Sequence, residues 1–418
     1  MNIALFGESA GTYSLAQQLV EEPNTRVFHY GANFKVPSTN LYHPLFPFGA
    51  DLKKFILNIP QGKTIDLVFP LTLNYQLWPE FRQKMLNHGI PLLMPDENVA
   101  ALEWSKVKGK QFLEEAGVPT TEYVVYKKNE LIENFFKIKR PFVLKFDQDW
   151  RAGLQTIIIT DENVQSEYEK ITSPDLKRFY ISGLVGDWID QEFVVEEYIH
   201  IAREISYHAL CNDHSWTYIG SARDYKKRYE NDVGFNTAGM GSYSPVDEFP
   251  NDIHSYADKV IQLMWRKGYS MKGILYLGIA IDDKGNPFVI EINTRPGDPE
   301  IQSILPLIDN NISELLYLAA TNKTLPTVKF KNECAVSIRV VSKEYNLTSN
   351  SNHKQTLPQI WPLAGGIKMG ITNPDGLLFS VLTVTDVTIK SASDRLYKFL
   401  ENKSMGDYTF RSDIGYLP

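Results

Sequence analysis

Apolar and polar positions along this chain follow two periods, and the switches between them mark out its elements. Residues 2–6 (Asn-Ile-Ala-Leu-Phe) form a nearly continuous apolar run, which predicts a buried strand. Residues 7–11 (Gly-Glu-Ser-Ala-Gly) read as a small-residue turn, and 13–21 carries the 3.6-residue period of an amphipathic helix. Strand-like runs return at 26–30 and 65–69, then a helix through Leu86 and a further run at 90–94. Strands alternating with helices over 1–95 predict a doubly wound parallel sheet.

The pattern then changes. Residues 96–117 read as one helical stretch, stopped by Gly117-Val-Pro-Thr. Strands are predicted at 123–126, 142–146, 156–160 and 192–199, and residues 200–300 continue as strands around one helix near 251–268. Beyond 330 come strand runs at 334–342 and 379–390 and a helix near 392–402; the polar segment 346–353 reads as a loop. The fold class expected is mixed α/β and α+β in several domains: 1–95, a linker at 96–122, 123–195, 196–325 and 326–418.

Composition narrows the classes. At 418 residues, two to four domains are expected. Net charge is −7 and no basic block stands out, so nucleic-acid binding gains no support. Cys211 and Cys334 make neither a disulfide framework nor a zinc cluster, which fits a cytoplasmic protein. No signal peptide is read at the N-terminus and no run of about 18 apolar residues occurs, so no membrane partner is expected.

The chemistry concentrates in residues 288–300, Phe-Val-Ile-Glu-Ile-Asn-Thr-Arg-Pro-Gly-Asp-Pro-Glu. Glu291 and Asn293 stand two apart, so on a strand they share one face and offer two oxygens suited to Mg²⁺. Arg295 adds a planar fork for a carboxylate or phosphate, and Pro-Gly-Asp-Pro a fixed turn. The segment alone reads equally as a phosphoryl-transfer site or as a polar strand end. Lys145, inside the apolar run Phe-Val-Leu-Lys-Phe, needs an anion or must reach water. Glu196 and Glu197 end another apolar strand, where the backbone could meet an adenine edge and one carboxylate a ribose; a solvated strand end is the alternative. Ser221-Ala-Arg-Asp-Tyr-Lys leads into a glycine-rich loop, 234–245, whose amides could approach a ligand.

Taken in order, Ser-Ala-Arg-Asp-Tyr-Lys, Asn-Thr-Ala-Gly-Met-Gly-Ser-Tyr-Ser-Pro, Gly273-Ile-Leu-Tyr-Leu-Gly278 and Glu-Ile-Asn-Thr-Arg-Pro-Gly-Asp-Pro-Glu-Ile-Gln302 resemble glycinamide ribonucleotide synthetase, an ATP-grasp family of purine biosynthesis. The resemblance is strongest over 219–318. It implies an N-terminal α/β domain, an ATP-grasp core with a lid subdomain and a small C-terminal domain. It implies ATP as cofactor, Mg²⁺ or Mn²⁺ at Glu291 and Asn293, and nucleotide contacts from Lys106, Lys145, Glu196, Glu197 and Glu204. Arg295, Asp224 and Lys226 would serve the amino-acid substrate and the chemistry. The implied partners are ATP, an amino acid (glycine) and a phosphoribosylamine-like amine, with the chain a monomer or homodimer.

Departures fall where the amine would be chosen. The family's first loop carries Arg-Glu-His, whereas this chain has Gly7-Glu-Ser-Ala-Gly-Thr-Tyr13. Its Gly-Pro-Glu is replaced by Phe69-Pro-Leu-Thr72, and a lid Gly-Lys-Gly by Gly153-Leu-Gln155, with Arg151 a candidate substitute. A different amine, or a nucleotide-binding paralogue without turnover, are the alternatives.

Overall fold

The N-terminal apolar run becomes the inner strand of a parallel sheet. A computed structural model describes residues 1–7, 9–30, 41–42, 65–71, 79–147, 156–173, 192–246, 252–345, 363, 365–371 and 378–416. Strand β1 (Asn2–Phe6) lies between β2 (Arg26–Tyr30) and β4 (Leu67–Pro70), and β2 pairs with the short β3 (Leu41–Tyr42). Helix α1 (Ala10–Val20) starts earlier than the periodicity suggests, because Ser9 caps it by accepting from the Thr12 amide. After helix α2 (Pro79–Asn87), the strand expected at 90–94 shrinks to one parallel bridge, Val68 to Leu92. Pro91 supplies a carbonyl there but no N–H.

The helix expected over 96–117 is two, α3 (Glu97–Trp104) and α4 (Lys106–Glu115). Ser105 leaves the helical region (φ −103°, ψ 115°) and caps α4 by accepting from the Lys108 amide. Asp147 accepts from both the Ser105 hydroxyl (2.8 Å) and the Val107 amide (3.1 Å), a carboxylate at a helix start. The break turns Lys106 to the cleft.

A second, antiparallel sheet has the order β5 (Tyr123–Lys127), β8 (Glu192–Glu197), β6 (Phe142–Phe146), β7 (Thr156–Ile159). Helices α5 (Lys128–Asn134) and α6 (Val164–Thr172) accompany it; Leu131 and Ile171 join its core with Phe142, Leu144 and Phe193.

The third sheet holds β9 (Ile201–Cys211), β10 (Trp216–Asp224), β13 (Gly241–Ser244), β14 (Gly273–Asp282), β15 (Pro287–Asn293), β16 (Cys334–Ser342), β17 (Lys368–Ile371), β18 (Leu378–Asp386) and β19 (Tyr408–Thr409). The hairpin β11 (Lys227–Tyr229) with β12 (Val233–Asn236) stands beside it. Helix α7 (Ile253–Arg266) buries Ile253, Tyr256, Ala257, Val260, Ile261 and Met264 on one face, at the spacing its sequence displays. Short α8 (Glu300–Ile304) and α9 (Ile312–Ala320) cover the sheet near β1 and α1.

Residues beyond 330 continue this sheet through β13 and β16, with Gly241 opposite Ile338 and Ser244 opposite Ala335. Helix α10 (Ile389–Glu401) begins before the position read from the sequence, because Thr388 and Ser391 cap each other reciprocally. The polar segment 346–353 lies outside the described residues.

Candidate active site

Strand β15 delivers Glu291 and Asn293 to a cleft. Glu291 stands opposite Gly278 of β14. A methyl group at Gly278 would meet the Glu291 Cγ at 2.6 Å, so the glycine makes room for the carboxylate to lie across it. Lys106 approaches Oε2 at 4.0 Å and Lys226 approaches Oε1 at 3.8 Å. Burial alone would raise the Glu291 pKa, but Lys226, Lys106, Lys145 and a hydrogen bond with Asn293 outweigh it and hold the group at about 2. An ionised carboxylate and an amide oxygen on one face fit a hard divalent cation. Among the described residues no group of three or more His, Cys, Asp or Glu is placed to hold a metal. An ion here would draw its remaining ligands from water and phosphate, which suits Mg²⁺.

Lys145 and Glu196 meet behind this carboxylate. Lys145 Nζ lies 2.8 Å from Glu196 Oε1 and donates to the Ile290 carbonyl at 3.3 Å. Glu196 is therefore turned inward, onto Lys145 and Lys110. Burial disfavours its charge, but Lys145 and Lys110 hold its pKa below the usual value. Glu197 remains exposed at the end of β8, accepting from the Glu122 amide at 3.2 Å.

Lys226 connects the metal-type pair to a second acidic group. It lies 2.9 Å from Glu204 Oε2. Burial lowers its pKa, but Glu204, Tyr276, Glu291 and Asp224 together raise it well above the usual value, so it stays cationic. Asp224 is pushed well up by burial and by the Glu300 charge, and burial also raises Glu300. The Asp224 carboxylate lies against Gly239 and Pro299.

Arg295 is held from behind. Its Nε donates to Glu103 Oε1 at 3.0 Å, while Glu103 Oε2 accepts from the Thr294 amide and hydroxyl at 2.8 and 3.1 Å. Buried His208 accepts from the Gly297 amide at 3.2 Å; burial, helped by the Arg295 charge, pushes its pKa down to about 3, so it is neutral. Asp298 Oδ1 accepts from Arg339 and Gln302, and Oδ2 from the Gly11 amide.

Nine of the ten residues singled out in the sequence thus fall into three sets: Glu291, Asn293, Lys106, Lys226 and Glu204; Lys145 and Glu196; and Arg295 with Asp224, the last residue of β10, near Pro299 of the turn that follows Arg295. Glu197 stands apart at its strand end. Sequence reading missed Lys110, Glu103, His208, Asp298 and Arg339. Lys110 had a signal: it is four residues from Lys106 on one helix, hence on the same face. Glu103 and Arg339 had none, since each meets its partner across long sequence separations. Of the divergent loops, Glu8, Thr72, Arg151 and residues 153–155 lie outside the described residues.

A parallel N-terminal sheet, an antiparallel four-stranded unit and a large antiparallel sheet, with lysines and a Glu–Asn pair lining the cleft, define an ATP-grasp protein. Residues 104–301 match the family model "Phosphoribosylglycinamide synthetase, ATP-grasp (A) domain". A phosphoribosylamine–glycine ligase of Chlorobaculum tepidum is 30% identical over 346 residues, 78% of each chain. One from Leptospira interrogans is 29% identical over 346 residues, again 78% of each. The crystal structure of the Thermotoga maritima phosphoribosylamine–glycine ligase superposes with a TM-score of 0.78 at 24% identity, covering 99% of this chain and 100% of that one. The chain belongs to the phosphoribosylamine–glycine ligase family of ATP-grasp ligases.

Proposed function

We propose that this chain joins glycine to phosphoribosylamine at the expense of ATP, with Mg²⁺ as cofactor. The observation that carries the reading is the convergence of Lys106, Lys226 and Lys145 on the Glu291 carboxylate, beside Arg295. Such a cluster is built to neutralise polyphosphate and to hold a substrate carboxylate against it. Glu291 and Asn293 would hold the Mg²⁺, which when bound offsets phosphate charge. Lys106 and Lys145 would contact the phosphates, β8 with Glu197 would face adenine and ribose, and Glu204 would act through Lys226. Arg295, fixed by Glu103, would receive the glycine carboxylate, with Asp224 near its amine.

A glycine carboxylate oxygen attacks the γ-phosphorus and ADP departs. The amine nitrogen of phosphoribosylamine then attacks the acyl carbon, the C–O bond to phosphate breaks, and the amine proton passes to solvent. The site's work is alignment and charge neutralisation, without a side-chain nucleophile.

A second reading, with a different amine, is favoured by the divergent first loop: the Gly11 amide is engaged by Asp298. The test is ADP release from Mg-ATP with glycine and phosphoribosylamine. Glycine-dependent ADP formation with this amine supports the first reading. ADP only with other amines supports the second, and none with any amino acid and amine pair sinks both.

A further inference from the structure

Lys110 is a fully internal lysine that the catalytic scheme does not use. Its ammonium lies 3.1 Å from Glu196 Oε1 and donates to the Thr120 and Thr121 hydroxyls at 2.7 and 2.5 Å. Thr121 in turn donates to Glu196 Oε2 at 2.9 Å, and Thr120 to the Val289 carbonyl at 2.7 Å. The Lys110 side chain is 3% exposed, as is that of Glu196. The Lys110 ammonium is thus held by two hydroxyl acceptors and the Glu196 carboxylate, all of them internal.

Lys145 differs. It shares the same Glu196 oxygen but has only one other partner among the described residues, the Ile290 carbonyl. Its side chain is 10% exposed, and its charge reaches Glu291. Two cations thus share one buried carboxylate: Lys110 is held by two hydroxyls besides, Lys145 by one carbonyl, which leaves Lys145 the greater donor capacity for the cleft.

We propose that Lys110 is a positioning residue for nucleotide binding: by neutralising Glu196 from within, it releases Lys145 to meet an incoming polyphosphate. Without Lys110, Glu196 would be a buried carboxylate with Lys145 as its only cation. Pulling Lys145 toward phosphate would then strand that charge, and a stranded buried charge is costly. With Lys110 and Thr121 in place, Glu196 stays compensated throughout the exchange. The inference rests on the reading of the cleft as a nucleotide site.

The test measures equilibrium binding of Mg-ADP and Mg-ATP by calorimetry, independent of turnover, on the full chain. K110M is expected to weaken both nucleotides by about tenfold or more, the scale on which neighbouring charges shift such equilibria. The double variant K110M/E196Q is expected to recover most of that loss, because the carboxylate that pins Lys145 is gone. In steady state, K110M should raise KM for ATP with little change in KM for glycine. Loss of affinity in K110M that E196Q fails to restore, in a protein with wild-type unfolding temperature, would overturn the proposal. So would unchanged nucleotide affinity in K110M. If K110M does not fold, E196Q alone decides: tighter or equal nucleotide binding supports the proposal, and weaker binding refutes it. Wild-type protein that binds no nucleotide would instead sink the underlying nucleotide reading.

Discussion

Arg339 Nη2 donates to Asp298 Oδ1 at 2.6 Å, and the two lie on opposite sides of a three-way junction. Asp298 belongs to the turn after Arg295, Arg339 to β16, and the other Asp298 oxygen takes the Gly11 amide of α1. The arginine side chain is 2% exposed and the carboxylate 16%. Arg339→Met removes the charge and keeps the bulk, leaving Asp298 with amide donors only. Breaking one side of a buried pair costs about 3–5 kcal/mol, so a large fall in urea midpoint is expected. A loss below about 1 kcal/mol, the surface-pair range, would show that the junction tolerates an unpaired Asp298.

Glu103 fixes Arg295 through two oxygens that divide their duties between the guanidinium and Thr294. Glu103→Gln keeps the shape but loses the charge that most strongly raises the Arg295 pKa. The expected result is a rise in KM for glycine of roughly tenfold, with KM for ATP little altered, since a charge-assisted bond is worth about 1.5–3 kcal/mol. Equal effects on both constants would argue that Arg295 does not meet the amino acid.

Glu291→Ala should abolish turnover, measured as glycine-dependent ADP release. The carboxylate is ionised at any working pH, with a pKa near 2, so it is always available to a cation. Its removal leaves Lys106, Lys145 and Lys226 facing one another without the anion between them. Activity within tenfold of wild type would remove Glu291 from the metal role, since loss of a central electrostatic group costs about 10²–10³ in rate.

The order of motifs carried the class of the fold because each motif is local: a two-residue spacing on a strand, a lysine in an apolar run, a glycine loop. That Glu291 and Asn293 share one face of a strand was legible from period alone, and that Lys145 needs an anion or water was legible from its apolar neighbours; the anion it meets is Glu196. What was hidden depends on long-range packing. The inward turn of Glu196 follows from Lys110 and Thr121, which approach from α4 and the segment before β5. The break at Ser105 was masked by helix-forming neighbours on both sides, and its cause, Asp147, lies 42 residues further on. The strand expected at 90–94 was overruled by Pro91, which has no N–H for a ladder.

Lys110 also makes a pH signature with two opposite limbs. Burial is the main cause that lowers its pKa, from 10.5 to about 8; Lys145 acts in the same direction, against Glu196 and Glu197. The groups facing it are Glu196 and Glu197 on β8, Lys145 on β6, and the Tyr123 ring on β5 at 5.7 Å. A lysine with a depressed folded pKa binds fewer protons folded than unfolded between 8 and 10.5. Its contribution to stability therefore rises with pH across that window, and the penalty for burying its charge is fully present below it. Nucleotide affinity should run the other way: as Lys110 loses its proton above about pH 8, Glu196 reclaims Lys145. Mg-ADP titrations from pH 7 to 9.5 should show wild-type affinity declining, and K110M weaker throughout and flatter. A wild-type profile parallel to that of K110M would exclude Lys110 as the titrating group.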